Sequence, residues 1–207
     1  MSDRVRALWT GQNRHPGDRA RLFRAVGDAV EAAHVLCPGS FVDVSPSFVL
    51  PSVTYVDLDD RAARFFAQRE SVAAIVAEHR DSPGDPEIHF LHGDYAGHLD
   101  LPRGGFDLLV SLYAGLVSEH CTEYLKPGGT LLANPSHGDV AMASLDDRYV
   151  LSGVVVHRGG ASRVRTTGLE QYLVPKASTP LTRDDVRERG RGVAYTRSAF
   201  AYLFTHR

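Results

Sequence analysis

Apolar positions along this chain keep two alternating rhythms as far as about residue 134. Leu22, Phe23, Val26, Ala29, Val30 and Ala33 fall three and four apart, the period of a helix with one apolar face. Asp18 stands where it can cap a helix over 19–33. Residues 1–17 hold no such period and read as irregular, with Trp9 as their one large anchor. Short apolar runs predict strands beginning at 34–36 and at 53–57, 88–91, 108–112 and 130–134. The run 108–112 is continuous, as in a strand covered by helices on both faces. Ala62, Phe65, Phe66, Val72, Ile75 and Val76 predict a helix from Asp59 or Asp60 through about Glu78, followed by a turn cluster at 81–87. AGLVSEHCTEYL predicts a helix over 114–125, stopped at Lys126-Pro127-Gly128-Gly129. Within 39–52, Pro46 and Pro51 interrupt any crossover helix and leave one short helical turn and an extended piece.

After residue 134 strands dominate. NPSHGD (134–139) reads as a loop leading to a short helix. Residues 148–157 alternate and run into Gly159-Gly160, a hairpin-like turn, with 162–174 as the return strand. Thr182 begins a short helix that stops at Gly190, and 192–204 is strand-rich. Helix and strand alternating, then strands, predict an α/β chain with an open, mostly parallel sheet and an antiparallel addition at its C-terminal end. The 207 residues fit one domain: a helical lead-in over 1–33, a core over 34–136 and a strand-rich part over 137–207.

Charge changes this picture little. Residues 1–147 hold 12 Lys/Arg against 21 Asp/Glu, whereas 148–207 hold 11 against 4. There is no arginine run and no interleaving of aromatic and basic residues. The basic tail is therefore read as solvated and paired with acids of the body, which argues against nucleic acid as the partner. No apolar run reaches the roughly 20 residues of a membrane span, and the first residues are too polar for a secretory signal. Cys37 and Cys121 are far apart and indicate neither a disulfide framework nor zinc, and His89, His92 and His98 lack metal-ligand spacing. A cytoplasmic protein, monomer or homodimer, is expected.

The stretch 33–60 carries the first chemistry. A strand ending in Cys37-Pro38-Gly39, a second strand and the acid Asp57 form the arrangement with which nucleotide-binding sheets hold an adenosine. The spacing from Gly39 to Asp57 fits a carboxylate that accepts from ribose hydroxyls. Farther on, FDLLVSLYAGLVSEHCTEYLKPGGTLLAN resembles the second half of a class I S-adenosylmethionine-dependent methyltransferase, LKPGG being its characteristic turn. With CPGSF, YVDLD and HGDY in matching order, the resemblance spans 30–136.

It implies a single-domain, Rossmann-like fold, a mixed seven-stranded sheet with helices on both faces and the last strand antiparallel. It also implies S-adenosylmethionine as cofactor and methyl transfer to an acceptor, here expected to be a small molecule. Residue by residue, Gly39 and Ser40 would admit the methionine part and ribose, and Asp57 would hold the ribose. Leu58 would lie on the adenine face, Asp94 with Tyr95 beside it would receive the adenine amino group, and Ser111 and Leu112 would line the floor. Where the family has an acid and two glycines this chain has Cys37, Phe41 and Asp43. Phe41 would either take the cofactor's place or stack on it. A methyltransferase-like binding domain without catalysis is the alternative, and RNA methylation a third reading.

For chemistry, His137 in the NPSHGD loop is the general-base candidate, with Asp139 as its possible orienter. Its other reading is a turn histidine capping a helix. Tyr113 is either a wall of the pocket or a hydrogen-bond donor to the acceptor. The chain has no nucleophile elbow and no P-loop.

Overall fold

The structure, a computed structural model, describes residues 3–13, 16–80 and 82–207. Five strands form the parallel part of its sheet: β1 (His34–Pro38), β2 (Ser52–Asp57), β3 (Glu87–His92), β4 (Phe106–Ser111) and β5 (Leu125–Ala133). β6 (Tyr149–Arg158), β7 (Ala161–Arg165) and β8 (Ala201–His206) complete it in the order β3-β2-β1-β4-β5-β8-β6-β7. β8 runs antiparallel between β5 and β6. The expected seven strands are eight among the described residues. Gly159 and Gly160, both at positive φ, fold β7 back along β6 and add one edge strand.

Alternate residues of each strand feed two cores, as the period of two requires. Val35, Val53, Tyr55, Leu108, Val110 and Leu132 face one side. There they meet α1 (Asp3–Gln12), α2 (Pro16–Gly27), α3 (Asp60–Phe66) and α4 (Arg69–His79). Leu36, Val56, Leu109, Leu131 and Ala133 face the other side, with α5 (Val117–His120) and α6 (Asp139–Ser144). α7 (Arg183–Arg189) packs Val186 on α6.

The described part of the lead-in is helical where it was expected to be irregular. Val5 and Trp9, four apart on α1, are buried, and Trp9 meets Phe48 and His79 edge-on. α2 ends at Gly27, short of residue 33. The long helix expected over 60–78 is two, broken at Ala67-Gln68, where Gln68 leaves helical geometry. The break lets Phe66 stack between Tyr55 and Phe90 while Val72, Ile75 and Val76 reach the core from a second axis. Between Pro38 and β2 lies the single helical turn expected there, Ser45–Phe48.

The helix expected over 114–125 shrinks to the four residues of α5 and one further turn at Thr122–Tyr124. Tyr113 and Leu116 adopt positive φ, which no continuous helix allows. LKPGG is not a helix stop, because β5 begins at Leu125 and runs through it. Phe106 pairs with Leu125 but Leu108 with Thr130, so the surplus residues bulge out at the Pro-Gly-Gly turn. In the tail the return strand stops at Arg165, and Tyr195 makes only an isolated bridge with Pro175.

Tyr124 ties the loop between β3 and β4 to the second core. Its hydroxyl accepts from Leu99 N at 2.9 Å and donates to Leu99 O at 3.2 Å. Tyr124→Phe leaves the buried Leu99 N–H without a partner, while Leu99 O keeps the Leu101 N–H at 2.9 Å, at a cost of about 1–3 kcal/mol. Thermal unfolding of the variant is expected several degrees below that of the parent. An unchanged Tm would mean that Leu99 is held by other contacts.

Candidate functional site

The carboxyl ends of β1, β2, β4 and β5 open on one rim, where three clefts adjoin. The first, about 480 Å³, lies over the turn after β1. Gly39 has φ +66°, and a Cβ there would stand 2.8 Å from Ala114 Cβ and 3.2 Å from Tyr95 Cε1. Only glycine fits so close an approach. Gly39 N–H donates to Val56 O at 2.8 Å, drawing the turn over β2. Ser40 Oγ is buried and has no hydrogen-bond partner among the described residues.

Phe41 takes φ +47°, a glycine conformation, at a position where the resembled pattern has glycine. A carboxylate holds it there: Phe41 N–H donates to Asp57 Oδ2 at 2.7 Å, and Asp59 N–H donates to Asp57 Oδ1 at 2.8 Å. Each Asp57 oxygen keeps a further lone pair for a ligand. The Phe41 ring lies under the Arg61 guanidinium, 4.9 Å from its centroid, and lines the cleft. Arg61 is itself held by Asp59, the N-cap of α3, and its hydrogen bonds bring the Asp59 carboxyl down to about 2.

Two groups of opposite charge close the far side of this cleft. Arg19, on α2, pairs with Asp43 at 3.2 Å and lies over the Tyr113 ring, 4.6 Å from its centroid. Asp43 also accepts from Ser45 N at 3.0 Å and Ser45 Oγ at 2.5 Å. Sequence reasoning missed both arginines. Arg19 is one polar residue among several on its helix, and only the fold brings α2 to the rim.

The second cleft, about 530 Å³, lies between Tyr113, Asn134–Ser136 and the segment 192–200. The third, about 280 Å³, gathers Leu58, Asp94, Tyr95, Gly115, His120 and His137. Leu58 is 63% exposed there, a large apolar side chain left open to solvent. Asp94 accepts from Ala96 N at 2.9 Å through one oxygen, and Tyr95 Oη donates to Gly115 O at 3.0 Å. Gly39, Ser40, Phe41 and Asp57 thus share the first cleft, and Leu58, Asp94 and Tyr95 the third. Leu112 lines the first, but Ser111 lies beneath the floor, wholly buried, with Oγ 3.5 Å from Ala114 O.

The two candidates for chemistry are not brought together. Tyr113 borders the first and second clefts; His137 faces the third. His137 Nδ1 meets Ser136 Oγ at 2.8 Å, so its partner is that hydroxyl and not Asp139. Asp139 points inward. Fully buried, it accepts from Ser118 N at 3.1 and 3.2 Å and from Ser118 Oγ. Thr122 Oγ1 continues the chain to Ser118 O and to Tyr149 Oη at 2.8 Å. This polar thread shapes the loop after β4. Among the described residues no three His, Cys, Asp or Glu are grouped to hold a metal ion, and no helix is long and apolar enough to cross a membrane.

Burial raises the Asp139 carboxyl above its usual 3.8, partly offset by the Ser111 and Ser118 hydrogen bonds. A raised folded-state value means stability that is present below 3.8 and lost as pH rises through the raised value. Asp139→Asn removes that loss. Its stability relative to the parent should climb across this interval in denaturant titrations at stepped pH, and a pH-independent difference would refute the assignment.

No family model matches the sequence, and no curated protein does. Solved structures do match. A putative O-methyltransferase from Klebsiella pneumoniae aligns over 79% of this chain and 88% of its own, with 11% identity and a TM-score of 0.50. An O-methyltransferase of tomaymycin synthesis from Streptomyces achromogenes, solved with S-adenosylmethionine, aligns over 79% and 88%, with 14% identity and a TM-score of 0.48. A methyltransferase from Methanosarcina mazei aligns over 84% and 92%, with 14% identity and a TM-score of 0.45. With its parallel strands, its antiparallel β8 and the first of these likenesses, the chain has the class I, Rossmann-like methyltransferase fold.

Proposed function

We propose that this chain is a methyltransferase that binds S-adenosylmethionine across the first and third clefts and serves a small-molecule acceptor. The observation that carries the reading is Asp57, which ends β2 with one free lone pair on each oxygen between the Gly39 turn and the exposed Leu58. A vicinal diol needs paired acceptors of this kind. Leu58 and Tyr95 offer an apolar slot for adenine, and the oxygen of Asp94 not bonded to Ala96 a polar edge contact.

The remaining groups fit the amino-acid end of the cofactor. Ser40 Oγ, buried without a partner, is an orphan that a ligand would satisfy. Arg19 and Asp43 offer a guanidinium to a carboxylate and a carboxylate to an ammonium, so the acid at 43 is matched to charge and not opposed to it. S-adenosylmethionine, when bound, supplies an electrophilic methyl on a sulfonium. The chain's own residues then hold donor and acceptor in line, which is where the rate gain of such a displacement arises. Phe41 borders the cleft instead of filling it, which favours this reading over a silent binding domain. Several arginines of the basic tail are engaged with acids of the body: Arg187 and Arg183 with Glu119, Arg148 and Arg183 with Asp146. That favours a small molecule over RNA.

The test is calorimetric titration of the full chain with S-adenosylhomocysteine. Saturable one-to-one binding is expected, weakened at least about tenfold in Asp57→Ala, since two hydrogen bonds to a charged acceptor are lost. Thermal unfolding of the variant guards against a folding defect. Absence of binding by the folded parent would end the reading.

A further inference from the structure

The second cleft has no charge. Among the described residues that line it there is no Asp, Glu, Lys, Arg or His. Its walls are the Tyr113 and Phe200 rings with Pro135, Val193 and Ala199, and its polar groups are the neutral Asn134, Ser136, Ser198 and the Tyr113 hydroxyl. Two cations beside it are committed elsewhere. Arg19 pairs with Asp43 in the first cleft, and Arg197 lies over Tyr172, bonded to Gln171 at 2.5 Å.

The walls are also fixed. Gly192 N–H donates to Ser136 O at 3.0 Å, and a Cβ on Gly192 would collide with Pro135 O, so the segment 192–200 is laid tightly on the loop after β5. Asn134 Oδ1 accepts from Tyr113 N at 3.2 Å and Ser136 Oγ at 2.8 Å. Both protein donors thus go to its oxygen, and the amide NH₂ is the end left for a ligand.

Two consequences follow for what can sit there. A carboxylate, phosphate or ammonium entering this cleft would shed water and find no counter-charge, which is costly. A nucleophile that holds its proton tightly would find no carboxylate or imidazole among the lining residues: His137 opens on the third cleft and meets this one only through Ser136 Oγ, and His157 lies against the Phe200 ring without lining the cleft. An aliphatic hydroxyl is such a nucleophile. A phenolic hydroxyl, with a pKa near 10, gives up its proton to solvent water far more readily; its oxygen would then form the O–CH3 bond as the S–CH3 bond of the sulfonium breaks and the thioether leaves.

We propose that the cleft bordered by Tyr113, Asn134 and Phe200 takes an uncharged aromatic ring bearing a phenolic hydroxyl as the methyl acceptor. Tyr113, the one side chain shared with the first cleft, stands between the acceptor and the cofactor's place. The rings of Phe200 and Tyr113 offer stacking surface, and the Asn134 amide donates to an oxygen on the ring. The inference rests on the cofactor reading given above.

Binding separates the two. The full chain, with and without saturating S-adenosylhomocysteine, is titrated with 2-naphthol and with 6-hydroxy-2-naphthoate, which is the same ring carrying a carboxylate, and followed by ligand fluorescence. Naphthol is expected to bind saturably and about tenfold or more tighter than the naphthoate. Ala194→Lys, on the exposed part of the lining, should reverse that order by supplying a counter-charge. Equal or tighter naphthoate binding by the parent, no saturable naphthol binding, or an order that Ala194→Lys leaves unchanged would each overturn the assignment. If naphthol fails while the homocysteine product binds, the acceptor class falls and the cofactor reading stands. If the product fails, the cofactor reading falls, and the naphthol arm without it still decides the character of the cleft.

Discussion

The rim of this protein depends on one carboxylate holding one turn. After β1 the chain reverses at Gly39, where no side chain fits, and continues through Phe41 in a conformation that costs a non-glycine residue of order 1 kcal/mol or more. Asp57 offsets that cost by accepting the Phe41 N–H at 2.7 Å. The same carboxylate accepts from Asp59 N–H, and Asp59 then caps α3 and anchors Arg61 over the Phe41 ring. Turn, helix start and cleft wall are thus a single hydrogen-bonded unit, and the free lone pairs of Asp57 are presented from its centre.

Charge is arranged on the same economy of partners. Arg19, Arg61, Arg183 and Arg187 each meet a carboxylate, and Glu119 lies below its ordinary value chiefly because Arg187 donates to it. Among the described residues two carboxylates are buried: Asp146 is paired with Arg148 and Arg183, and Asp139 is wrapped by Ser118 and kept away from the clefts. What remains open at the rim is consequently differentiated. One cleft holds an Arg–Asp pair, one an apolar slot with a single acid, and one only neutral walls. Such a division suits a charged cofactor beside an uncharged partner.

Periodicity made the α/β alternation, the two-faced strands and most strand positions legible from the sequence. These follow from which residues avoid water, a property each residue carries alone. Gly39 and Asp57, eighteen apart, fell where two adjacent parallel strands end, and the helix start at Thr182 with its stop at Gly190 was equally local, being a capping box and a left-handed glycine. The seven strands implied by the family resemblance are eight because the hairpin return after Gly159-Gly160, itself legible in the sequence, adds one edge strand.

Other features were decided by contacts distant along the chain. α1 exists because Trp9 finds Phe48 and His79, and the helix over 60–78 breaks where Phe66 is drawn between Tyr55 and Phe90. Ser118 bonding Asp139, 21 residues on, holds residues 113–125 in a loop that helix propensity alone would have coiled. That loop parts Tyr113 from His137 and turns the imidazole to the third cleft. Arg19 reaches the rim only because α2 packs against the same face as Tyr55. By itself the sequence determined which residues must be covered and where the backbone must turn sharply. The tertiary structure decided which polar groups face one another, because that depends on the convergence of elements whose separation in sequence carries no signal.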